Sequence, residues 1–131
     1  MFSPHKSNHG AVLPWEYLPG KAGSYQAGQL LNADDGYLAA ISAAATTTPG
    51  YLCMGNVTVA EDGGTLVPVT RVQEDCIYET TLSAEAAAAA IGSKLQVSAG
   101  GLQVDGAAEG SFEVTYIEGT AAGAVVRGRF V

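Results

Sequence analysis

Turn-forming residues divide most of this chain into pieces too short for anything but β-structure. Asp34-Asp35-Gly36, Pro49-Gly50, Asp62-Gly63-Gly64, Gly100-Gly101 and Asp105-Gly106 punctuate residues 21–131. Each brings in glycine, which takes positive φ at no steric cost, most of them beside an aspartate or proline suited to a turn. Between them lie apolar runs read as strands: Gln29–Leu31, Tyr37–Ile41, Tyr51–Ala60, Thr65–Val72, Cys76–Thr81, Lys94–Ser98, Leu102–Val104, Ser111–Ile117 and Ala124–Val131. Short strands at roughly ten-residue spacing predict a mainly β protein, a small β-barrel or β-sandwich. Seventeen glycines in 131 residues argue against a long-helix bundle, and that length is room for one domain rather than two.

The last two runs read as a hairpin. Phe112, Val114 and Tyr116 alternate with Glu113, Thr115 and Ile117, while Val126, Gly128 and Phe130 alternate with Val125, Arg127 and Arg129. A turn centred near Ala121 sets Glu113 opposite Arg129 and Val114 opposite Gly128. That register gathers the apolar residues on one face and pairs opposite charges on the other.

Two segments depart from the strand pattern. Ser83 suits an N-cap, Glu85 sits where the helix dipole favours an acid, Ala86–Ala90 has the best helix propensity available, and Gly92 suits a C-cap. One short Ala-rich helix is therefore expected, held against the sheet because two turns do not persist alone. Residues 1–20 carry Pro4, Pro14 and Pro19, both histidines and the single tryptophan, with no periodicity. Proline cannot donate to a ladder, so this stretch reads as an extended N-terminal arm before a single β-rich domain over 21–131.

Recognisable chemistry is sparse. Thirteen acids against six bases give a net charge of −7, which leaves no basic footprint for nucleic acid. Apolar runs fall far short of the roughly 20 residues of a membrane helix, and residues 1–20 lack a signal-type apolar block, so synthesis in the cytoplasm is expected. Cys53 and Cys76 do not make a disulfide framework; two buried thiols is the favoured reading, a single bridge the alternative. His5 and His9 have zinc spacing only on a helix and no acidic or cysteine partner nearby, and solvated arm residues is the plainer reading. Asp34-Asp35-Gly36 and Glu61-Asp62-Gly63 lack the alternating oxygen ligands of a calcium loop and read as turns. Glu74-Asp75 with Glu79 lacks a partnering base, and neither a nucleophile elbow nor a phosphate-binding loop occurs. No catalytic residue, cofactor or metal ligand is assigned.

Large apolar groups on a segment with little core of its own mark a contact with something else. Phe2, Trp15 and Tyr17 stand out on that ground, with Pro4 limiting the entropy lost on ordering and Lys6 supplying a positive charge.

Several stretches resemble a known family. Gly28-Gln29-Leu30-Leu31 leading through Asp34-Asp35-Gly36-Tyr37-Leu38, Pro49-Gly50-Tyr51-Leu52 before a long strand, and the closing Gly123–Val131 strand are similar to tailed-bacteriophage head decoration (capsid cementing) proteins, including β-tulip types. The stretches cover about half the domain and none is a diagnostic motif. The resemblance implies a β-tulip-like body, no cofactor, and a structural role on the outer surface of a phage head, as a homotrimer bound to the major capsid protein. Phe2, Pro4, Lys6, Trp15 and Tyr17 are then the expected capsid-binding residues. The alternative is a small carbohydrate-binding or adhesion β-module, against which the scattered tyrosines and off-body tryptophan count.

Overall fold

A computed structural model describes residues 1–7, 13–106 and 109–131, and among these it contains strands and turns but no helix. The strands are β1 (Ser3–Ser7), β2 (Glu16–Pro19), β3 (Gly23–Tyr25), β4 (Leu30–Asp34), β5 (Tyr37–Ala40), β6 (Tyr51–Cys53), β7 (Val57–Val59), β8 (Leu66–Arg71), β9 (Cys76–Thr81), β10 (Lys94–Val97), β11 (Val104–Asp105), β12 (Phe112–Ile117) and β13 (Val125–Phe130). They form a six-stranded sheet in the order β1-β9-β13-β12-β10-β11, a five-stranded sheet in the order β2-β8-β6-β4-β5, and a two-stranded β3-β7 ribbon. All strand pairings are antiparallel. The mainly β expectation agrees with this, but none of the sheets closes, which corrects the expected barrel. The two edges of the five-stranded sheet touch through a single parallel bridge between Gly20 and Leu38.

Two apolar clusters lie on opposite faces of the five-stranded sheet. Leu30 and Leu52 point into the larger one, against Tyr78, Leu95, Phe112, Val114, Val126 and Phe130 of the six-stranded sheet. Leu31, Leu38, Cys53, Val67 and Val69 point the other way and pack with Tyr25 and Val59 of the ribbon. The strict alternation of Leu30 with Leu31, and Leu52 with Cys53, is what lets one sheet serve two cores.

The hairpin has the expected register, Glu113 opposite Arg129 and Val114 opposite Gly128. Any side chain at 128 would collide with the Glu113 carbonyl oxygen and the Phe112 ring, so glycine is required where the strands come closest. Past Val114 a bulge shifts the ladder, pairing Tyr116 with Arg127. The extra residue turns Tyr116 out of the core, where the sequence pattern had placed it, and under the Arg127 guanidinium 4.8 Å from the ring centroid.

Three further expectations are corrected. The run Tyr51–Ala60 breaks at Met54 and Gly55 into β6 and β7, which join different sheets. Residues 83–92 are turns rather than a helix. Their donors go elsewhere: Ala86 N–H to Thr120 O, Ala90 N–H to Ser93 Oγ and Gly92 N–H to Val114 O. Ala86 is buried in contact distance of Gly106, a placement the neighbouring loops hold and a lone two-turn helix could not outcompete.

The extended arm is also corrected, because residues 1–20 supply an edge strand to each large sheet: β1 pairs with β9 and β2 with β8. Phe2 is 2 % exposed. Its ring lies 5.9 Å from Phe112 and 6.1 Å from Phe130, within an aromatic group that also holds Tyr78, 5.6 Å from Phe130. Phe2 N–H donates to Gly28 O at 2.8 Å, and Gly28, at φ +88°, has no Cβ to strike Met1 or the Phe2 carbonyl.

Removing the Phe2 ring should therefore cost about 3–5 kcal/mol, as for other buried phenylalanines, whereas Trp15→Ala should stay within about 0.5 kcal/mol of the parent. Urea denaturation of the two variants checks this, and equal midpoints would contradict the packing. Burial also pushes the Tyr78 hydroxyl well above the ordinary tyrosine value, as it does Tyr25. Folding stability from these groups is present below about pH 10 and is lost as the unfolded chain ionises first at higher pH. Tyr78→Phe should flatten the fall in stability above about pH 10, as denaturation midpoints measured on the alkaline side will show.

Candidate functional site at an exposed sheet edge

The six-residue strand β8 alternates Leu66, Pro68 and Thr70 with Val67, Val69 and Arg71, and β2 lies beside it. Glu16 and Leu18 stand opposite Val69 and Val67; Tyr17 and Pro19 stand opposite Pro68 and Leu66. Leu18 packs with Val67 and Val69 on the smaller core. On the other row Pro19 and Pro68 are half-buried, while the large side chains are bare. Tyr17 is 60 % exposed, Leu66 53 % and Trp15, just ahead of the strand, 52 %. Three large apolar side chains are thus bare along the β2–β8 pair, Trp15 at one end and Leu66 at the other.

The backbone there is open too. Pro68 has no N–H, so the Tyr17–Pro68 pair is not hydrogen-bonded across the ladder, and its carbonyl goes instead to Met54 N–H at 2.9 Å. The N–H and C=O of Tyr17 consequently turn toward the outer side of β2, which ends the sheet. Glu16 is tied back by Arg71 (2.9 Å), whose guanidinium also covers the Tyr51 ring at 5.5 Å. The Glu16 carboxylate raises the Arg71 pKa. That pair is exposed and contributes little stability, but it keeps both charges off the apolar row.

Acidic turns border this edge. The parallel Gly20–Leu38 bridge, with Lys21 N–H donating to Leu38 O at 2.8 Å, brings the Asp34–Tyr37 turn to the C-terminal end of β2. Lys21 Nζ lies 2.8 Å from Asp34 Oδ2, and its pKa is raised by that hydrogen bond and then by the charges of Asp34, Asp35 and Asp62. Asp62 Oδ1 accepts from Ala22 N–H at 2.8 Å, and Gly63 N–H donates to Gly20 O at 2.9 Å, which brings the Glu61–Asp62 turn to the same place. The two acidic turns, distant in sequence, share one end of the sheet.

The residues singled out from sequence fall into two separate groups. Trp15 and Tyr17 are exposed on the β2 edge. Pro4 and Lys6 are exposed on β1, at the edge of the other sheet, opposite Tyr78 and Ile77. Phe2 is buried, which corrects its expected role as an exposed anchor. Leu66 and Pro68 were not anticipated, although Leu66 already alternates with Val67 and Val69 in the sequence. His5 is exposed at a bulge in β1, and His9 lies outside the described residues. Glu79 is paired with Arg127 at 2.7 Å, while Glu74 and Asp75 line a cleft with Lys6 and Arg129.

Among the described residues no three His, Cys, Asp or Glu side chains are grouped as metal ligands, and no helix is long and apolar enough to cross a membrane. Cys53 and Cys76 are both buried and unbridged. No protein-family model matches the chain, and no curated protein matches it.

Burial raises the pKa of both thiols, and Cys53 Sγ also donates to the Gly55 carbonyl at 3.1 Å. The reactive thiolate is scarce and inaccessible at neutral pH. A thiol reagent should accordingly label neither cysteine in the native protein within the time that labels both in guanidinium chloride, a contrast that absorbance at neutral pH will record.

Proposed function

We propose that this protein is a structural capsid decoration protein that binds the outer surface of a phage head and stabilises it, acting as a homotrimer without a cofactor. The supporting sequence features are those of the resemblance above, a small β-rich body with the glycine-led segments of decoration proteins. The observation that carries the reading to a surface is the bare edge formed by Trp15, Tyr17 and Leu66. A trimer suits a symmetric shell because each subunit then repeats the same contact, and three linked weak contacts hold far longer than one.

The edge replaces the free arm as the contacting element. Aromatic side chains with a polar tip bury large area at low entropic loss, which is why they recur as anchors in protein interfaces. The same pair of rings would also stack on a sugar, so a carbohydrate-binding module remains the competing reading.

Deleting residues 1–16 cannot test the contact cleanly, since it removes β1 and Phe2 together with Trp15. The double variant Trp15→Ala/Tyr17→Ala is the better probe. It should keep the parent melting temperature and lose at least about tenfold in affinity for expanded phage heads, a size typical of interface anchors. Co-sedimentation with heads measures this. Undiminished binding by the variant would move the contact elsewhere, and a parent that ignores heads but binds on a glycan array would replace the proposal.

A further inference from the structure

We infer that the β2 edge receives an extended, basic segment of the partner protein, laid alongside Trp15–Leu18 as an added strand with its lysines or arginines against the Asp34–Asp35 and Glu61–Asp62 turns. The inference rests on the capsid-surface reading above and names the chemistry of what that edge binds.

Three features converge on this occupant. The backbone donor and acceptor of Tyr17 face outward from the last strand of the sheet, so an extended segment can continue the ladder there. Tyr17, on the edge strand itself, and Trp15, just ahead of it, offer apolar contact to alternate side chains of such a segment. The acidic end then decides its charge. Three carboxylates, Asp34, Asp35 and Asp62, surround Lys21 near the Gly20–Leu38 bridge, and Lys21 is already committed to Asp34. Asp62 caps the Ala22 amide while Asp35 and Glu61 stand exposed on their turns. An acidic segment would be repelled there and an uncharged one would gain nothing, whereas lysine or arginine is drawn in and held. Strand addition also fixes how far the basic residues stand from the apolar ones, because the acidic turns begin only three or four residues along from Tyr17, roughly 10–13 Å in an extended chain.

Trp15 is the single tryptophan, so its fluorescence reports on the edge directly. The probe is a ten-residue peptide of alternating valine and lysine, compared with the valine–glutamate peptide of equal length. The lysine peptide should shift Trp15 emission saturably at low salt, with affinity falling as salt is raised; the glutamate peptide should produce no shift. Asp35→Asn/Glu61→Gln removes two negative charges without touching the described hydrogen bonds, and asparagine tolerates the φ of 53° at position 35. This variant should bind the lysine peptide about three- to tenfold more weakly and with a shallower salt dependence. Equal shifts with both peptides, or unchanged affinity and salt dependence in the variant, would overturn the inference. The same variant assayed on expanded heads separates the two ideas: heads that bind parent and variant alike, at all salt concentrations, refute the basic segment and leave decoration standing. Heads that bind neither refute decoration, while the peptide result still judges the edge.

Discussion

The aromatic group of Phe2, Tyr78, Phe112 and Phe130 governs how the rest of the chain is laid out. Phe2 contributes a ring to the six-stranded sheet's core from the very start of the sequence, and its N–H is fixed on Gly28 at the seam with the other sheet. With that end held, β1 runs along β9, and the chain must then cross to the second sheet to form β2 against β8. Residues 1–7 and 13–20 thereby contribute to both sheets. Burying one phenylalanine offsets the entropy of ordering only about one or two residues, and the ladders β1 makes with β9 and β2 with β8 carry the rest of the stretch.

Charge follows the same architecture. Four of the six lysines and arginines make ion pairs, with Asp34, Glu16, Glu79 and Glu113. Two of these pairs, Arg127–Glu79 and Arg129–Glu113, are cross-strand neighbours on the solvent face of the large sheet. Nine acids lie outside these four pairs, against Lys6 and Lys94, and most of the nine sit at turns or bends. Beside the β2 edge this excess adjoins bare aromatic rings, so that edge joins apolar area, an open backbone and negative potential.

Residues 83–92 show how far tertiary context overrides local preference. An alanine run with good caps is the strongest helix signal in the chain, yet the amides of Ser83, Ala86 and Gly92 bond to Val104, Thr120 and Val114 on other segments. Helix propensity is worth only tenths of a kcal/mol per residue, and over two turns it does not exceed the nucleation penalty plus the loss of those contacts. The bulge after Val114 is a similar case, since one inserted residue reverses which way Tyr116 points.

Some of this protein was legible in its sequence because the determining forces are local. Glycine-bearing turns marked most strand boundaries, and the alternation in residues 111–131 sufficed for the Glu113–Arg129 register, because a slip of one residue would expose Phe112, Val114 and Phe130 together. Trp15 and Tyr17 were recognisable as candidates for exposure, with folding back onto the body the equal alternative, and both are exposed. What only the tertiary structure decided depends on contacts between distant segments. Phe2 could be seen as apolar but not as buried, because its partners lie more than a hundred residues away. Leu66 could be seen in a strand but not as bare, because exposure depends on where the second core ends. Asp34–Asp35 and Glu61–Asp62 read as unrelated turns until the Gly20–Leu38 bridge brought them to one edge. Turn chemistry and strand period act over a few residues and are written in order along the chain; burial and the meeting of charges arise only when sheets pack.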